Sequence, residues 1–123
     1  MKSVFTFVLL ISFIAFSGAA LTNGGTWLSG NGKASWYGDK FHGKKTASGD
    51  KYDMHELTAA HKTLPFGTKV KITNQNNGKS VVVEVNDRGP FVKSRVFDLS
   101  KAAFAEIGNI DQGVMHIDYE IMN

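Results

Sequence analysis

The feature that most limits this chain is the absence of cysteine from a short sequence that begins like an exported one. Small exported domains often depend on disulfides, because their cores are too small to hold the fold unaided. Nothing can be cross-linked here, so the core must hold by packing alone. The same absence excludes a thiolate nucleophile, a cysteine-bound zinc and lipid attachment through an N-terminal Cys.

The export reading rests on residues 1–20. Lys2 precedes an apolar run over residues 4–16, interrupted by Thr6 and Ser12, and small residues fill positions 17–20. This is the layout of a secretory signal peptide. The run falls short of the roughly 20 apolar residues of a spanning helix, although a retained anchor is the rival reading. Cleavage is expected after Ala19 or Ala20. Only Lys2 leaves with the signal, so the net charge falls from +3 to +2, an excess too small to suggest a nucleic-acid partner. With 123 residues in all, one modest domain is the ceiling.

Residues 21–32 hold four Gly, two Asn, two Thr and one Ser around Trp27 and read as a flexible leader, so the folded domain is expected over residues 33–123. Beyond Lys33 the apolar residues alternate in short runs, the period of strands. Val70 and Ile72 oppose Lys69, Lys71 and Thr73; Val81, Val83 and Val85 oppose Val82, Glu84 and Asn86. Asn77-Gly78 between them is a hairpin signal. Met115, Ile117, Tyr119 and Ile121 face one way and His116, Asp118 and Glu120 the other, as in a closing strand. Only residues 100–107 read as a helix, with Leu99, Ala103 and Ile107 four apart, Asp98 or Ser100 as cap and Gly108 as stop. One short helix among several strands predicts a small, mainly β barrel. Its rim loops would be residues 37–52, 61–67 and 87–95. No internal repeat is visible.

Asn86-Asp87-Arg88-Gly89-Pro90-Phe91 places a carboxylate at a strand end with an Arg beside it, which suits an acid held in a groove. The bland alternative is a turn-capping Asp87 and a surface-paired Arg88. Asp98, in Val96-Phe97-Asp98-Leu99-Ser100, has apolar neighbours that would desolvate it, or it caps the helix. Asp50, in Ser48-Gly49-Asp50, is a third acid or an ordinary turn residue. His61 precedes a Leu64-Pro65 turn, where it could orient a carboxylate or serve the structure. The four histidines show no close ligand pair, so neither a metal nor another cofactor is expected. Trp36 and Tyr37 point to opposite faces of a strand, so one could be core and the other a stacking surface for a sugar, or both could be core. A Ser nucleophile elbow, a phosphate-cradling loop and a dinucleotide fingerprint are all missing. What remains is carboxylate chemistry on an uncharged leaving group, the equipment for cleaving a glycosidic bond.

Five stretches carry a family resemblance: Ala34-Ser35-Trp36-Tyr37-Gly38, Lys45-Thr46-Ala47-Ser48-Gly49, residues 58–68, Asn86-Asp87-Arg88-Gly89-Pro90-Phe91 and Phe97-Asp98-Leu99-Ser100. Together they resemble the RlpA-type lytic transglycosylases, from Lys33 to about Ile121. The resemblance implies a six-stranded double-psi β-barrel with one or two short helices, shared with expansins, barwin-like proteins and family 45 endoglucanases. It implies action on peptidoglycan glycan strands, preferably without stem peptides, cutting between N-acetylmuramic acid (MurNAc) and N-acetylglucosamine (GlcNAc) to leave a 1,6-anhydro end. It also implies Asp87 and His61 as active-site residues, while Trp36, Tyr37 and Arg88 are candidate substrate contacts on the reading of the residues themselves. Asp50 stands where the family usually has Glu, one methylene longer. Expansins and family 45 endoglucanases place their acid in the Phe-Asp-Leu-Ser stretch, which makes Asp98 the rival donor; Asp87 is favoured.

Family members are commonly lipoproteins, often with a C-terminal SPOR domain; without Cys, and with the sequence stopping after the barrel, neither is expected here. The expected protein is thus a secreted or periplasmic monomer with no cofactor. A non-catalytic, expansin-like module that binds or loosens cell-wall glycan is the alternative function, and a small interaction protein that keeps only the barrel is a third.

Overall fold

The computed structural model describes residues 28–122, so the signal segment, Trp27 and the earlier part of the leader lie outside the described residues. Contacts group Asn31–Asn123 as one unit. The elements are β1 (Ser29–Trp36), β2 (Thr58–Ala60), β3 (Lys69–Asn74), β4 (Ser80–Asp87), β5 (Arg95–Leu99), α1 (Lys101–Ile107) and β6 (Val114–Ile121). The six strands close into a barrel in the order β1-β5-β2-β4-β3-β6.

The alternation read from the sequence becomes the barrel wall. Val70, Ile72, Val81, Val83, Val85, Met115 and Ile117 are buried, while Val82 on the opposite face is exposed. The β3–β4 hairpin turns through Gly78 at φ 75°, and Lys69 pairs with Glu84 and Thr73 with Ser80. β2 is short, and both of its alanines are buried. Its Ala59 and Ala60 lie between parallel β4 and antiparallel β5.

The first strand corrects the expected boundary. Ser29 to Gly32, assigned to the leader, already belong to β1. Gly32 is there for close approach, since a Cβ on it would lie 2.6 Å from a Val96 methyl. At the helix start it is Ser100, not Asp98, that caps: its hydroxyl accepts from the Ala103 amide at 3.2 Å. Gly108 follows the helix in an extended conformation, and its missing side chain makes room for Met115 and Asn74.

Candidate active site

Three neighbouring strands set the site. Ala60 at the end of β2 pairs with Asp87, the last residue of β4, on one side and with Asp98 of β5 on the other. With strands spaced about 4.8 Å apart, the two aspartate backbones stand about 10 Å apart across a floor made by an alanine.

Asp87 is held by groups from three parts of the chain. Its Oδ2 accepts from the Tyr37 hydroxyl at 2.5 Å; its Oδ1 accepts from the backbone amides of Ala47 and Arg88, each at 2.9 Å. The Ala47 amide is presented by a turn in which the Thr46 amide and hydroxyl both donate to the Asp50 carbonyl, and which docks on β4 through Ser48 N–H to Asn86 O at 3.2 Å. Gly49 at φ 98° allows that turn. Asp50 is exposed, and the contact that shapes the turn is made by its backbone.

Tyr37 stacks on Tyr52 with ring centres 4.4 Å apart, which fixes the phenol over Asp87. Burial first, then the hydrogen bond and charge of Asp87 and the charge of Asp98, push the phenol pKa well above its ordinary value. It therefore stays protonated and serves as a donor. Trp36, on the other face of β1, packs against the core and donates its indole N–H to the Ile110 carbonyl at 3.1 Å. Of the two rings, expected as one core ring and one sugar platform or as two core rings, Trp36 packs against the core and Tyr37 is hydrogen-bonded to Asp87.

His61 follows Ala60, and its amide donates to the Asp87 carbonyl at 3.2 Å. Its Nδ1 accepts from the amides of Thr63 and Leu64, both at 3.1 Å, and the ring lies against Phe97. An Nδ1 that faces two N–H donors cannot carry a proton, so the neutral ring holds its proton on Nε2. Burial, with Lys62 and Arg88 adding repulsion, lowers the imidazole pKa and keeps it in that state. His61 is thus an N–H donor rather than a base.

Arg88 turns inward along the rim. Its guanidinium donates to the carbonyls of Leu64 (2.8 Å) and His61 (3.3 Å) and lies over the Phe66 ring, tying the His61 loop to the Asp87 loop. Among the described residues no ion pair with Arg88 is formed. Asp98 accepts from the Ser35 hydroxyl and lies 3.6 Å from Arg95. Ser35, Ala47, Tyr52 and Arg95 were not singled out from the sequence. Alternation puts Ser35 on the same face as Tyr37, but its place opposite Asp98 comes from the β1–β5 register, which the sequence does not carry. The Ala47 amide carries no side-chain signal at all.

A six-stranded closed barrel whose parallel pairs bring strand-end acids to one rim defines the double-psi β-barrel class. Residues 29–119 match the family described as lytic transglycolase, and the chain belongs to that family. It is 56% identical over 89 residues to the endolytic peptidoglycan transglycosylase RlpA of Neisseria meningitidis serogroup A, covering 72% of this chain and 37% of that protein. Its identity to the protein of the same name in Vibrio cholerae is 55% over 92 residues, covering 75% and 35%. The chain thus spans little more than a third of the length of these relatives. Among solved structures it is similar to the Streptomyces papain inhibitor, with TM-score 0.64 and 28% identity over 77% of this chain and 94% of that one.

Proposed function

We propose that the domain is an extracytoplasmic lytic transglycosylase that cleaves the MurNAc–GlcNAc bond of peptidoglycan, with Asp87 as the acid and base. The observation that carries this reading is the unequal surroundings of the two Asp87 oxygens. Oδ1 faces two backbone amides, which can only donate. Oδ2 faces a phenol, which can donate or accept, so a proton can come and go on Oδ2 without leaving a partner unmet. Relatives at 55–56% identity that are named for this activity support the reading.

In the proposed cycle Oδ2–H protonates the glycosidic oxygen as the muramic C1–O bond breaks, releasing the GlcNAc 4-hydroxyl. The muramic C6 oxygen then bonds to C1, and its proton passes to Oδ2, restoring the acid without water. The His61 Nε2–H supplies a neutral hydrogen bond during the charge changes. Asp98, held by Ser35 and Arg95, adds negative charge to the groove. A monomeric enzyme acting on strands without stem peptides remains the expectation.

The test is mass spectrometry of peptidoglycan strands freed of stem peptides. Wild-type protein should release products lighter than the hydrolytic ones by one water. Asp87→Asn should release none while still folding, whereas Asp98→Asn should keep turnover. Normal release by Asp87→Asn would move the acid to Asp98.

A further inference from the structure

Among the described residues, the aromatic rings that reach the solvent are not scattered over the barrel. Phe41, Phe66 and Phe91 are 42%, 43% and 83% exposed, and one sits on each of the three loops that converge on Asp87. Each ring neighbours a residue close to Asp87. Phe41 meets Tyr37 edge-on with centres 6.0 Å apart, Phe66 lies under the Arg88 guanidinium at 4.1 Å, and the Phe91 ring lies against Gly89, where an added Cβ would touch it at 3.6 Å. Tyr37 hydrogen-bonds to Asp87, Arg88 follows it in the chain, and Gly89 is two residues on.

Nothing in the packing of the barrel calls for a phenylalanine as exposed as Phe91, since a buried ring is what stabilises a fold. We infer that Phe41, Phe66 and Phe91 are stacking platforms for pyranose rings, so that the site grips a run of sugars around the bond cleaved at Asp87. A pyranose presents apolar C–H faces and polar edges. Aromatic rings around a carboxylate match both, the rings taking the faces while the loop backbone meets the hydroxyls. The inference rests on the proposed glycan substrate but not on turnover, and it places the sugar-stacking surface on rings other than the one of Trp36 and Tyr37 considered for it from the sequence.

The experiment measures binding of N-acetylglucosamine hexamer and dimer, by titration calorimetry, to Asp87→Asn protein with and without Phe66→Ala or Phe91→Ala, alongside thermal melting. The expected result is hexamer binding weakened about tenfold by either substitution, or about 1.4 kcal/mol, with melting unchanged. The loss should be smaller for the dimer, and Phe91→Trp should restore binding. Hexamer binding unaltered by both alanine variants overturns the platforms, as does hexamer that fails to bind the unsubstituted Asp87→Asn protein. Weakened binding in a protein whose wild type releases no anhydro product upholds the platforms and removes the catalytic reading. Unaltered binding with normal product release does the reverse.

Discussion

In the proposed cycle Asp87 depends on a hydroxyl from Tyr37, the residue just past the end of β1. Tyr37→Phe removes the Oδ2 partner while leaving the ring free to stack on Tyr52. The expected outcome is a fall in kcat of about a hundredfold, the scale of a misplaced reacting group, with KM little changed; steady-state kinetics on soluble glycan strands would check it. His61 gives a second prediction. Its folded pKa lies below the ordinary 6.5, so the unfolded chain binds the proton more tightly. Stability from this group is therefore complete above about pH 6.5 and is lost as pH falls through and below that value. Urea midpoints should drop on acidification in wild type and drop less in His61→Asn, whose side-chain oxygen can still accept the loop amides. The difference between the two proteins isolates this group, since the other histidines are common to both. The sequence showed Asp87, Asp98 and His61 as reactive types near turns. It could not show that Nδ1 is occupied, because that depends on where the amides of Thr63 and Leu64 point.

Between elements, single polar side chains carry much of the joining. The Ser100 hydroxyl accepts from Ala103 N–H and donates to the Glu56 carbonyl, fastening the helix start to the segment entering β2. Ser100→Ala is expected to lower stability by about 1–3 kcal/mol, as for a lost cap that leaves a buried group unpaired. Asn74, in the hairpin, reaches the Ile107 carbonyl at 2.8 Å and so satisfies the helix's other end. Gly32→Ala should destabilise by about 1–3 kcal/mol through overpacking against the stiff Val96, which denaturant titration would measure. A leader residue would show no effect. The strands, the hairpin and the helix were legible because period and turn chemistry are local. The start of β1 was not, because glycines placed for close approach look, in a sequence, like glycines placed for looseness.

Across the whole barrel, the pairings map onto themselves when β1, β2 and β3 are exchanged for β4, β5 and β6. Parallel β1–β5 becomes parallel β4–β2, and the antiparallel β2–β5 pair becomes itself. The sequence shows no repeat to match, because what this arrangement constrains is the inward apolar pattern rather than particular residues. For an exported product, N-terminal sequencing is expected to begin at Ala20 or Leu21, as the small residues at positions 17–20 indicate. The interleaving has a further effect on when the acid can work. The hydroxyl and the Ala47 amide that hold Asp87 lie 50 and 40 positions away along the chain, and only strands threaded through one another bring them together. No single segment contains the working constellation. Before those strands are threaded, or in any fragment cut from the chain, Asp87 is left without its phenol and its loop amide, so the arrangement exists all at once or not at all.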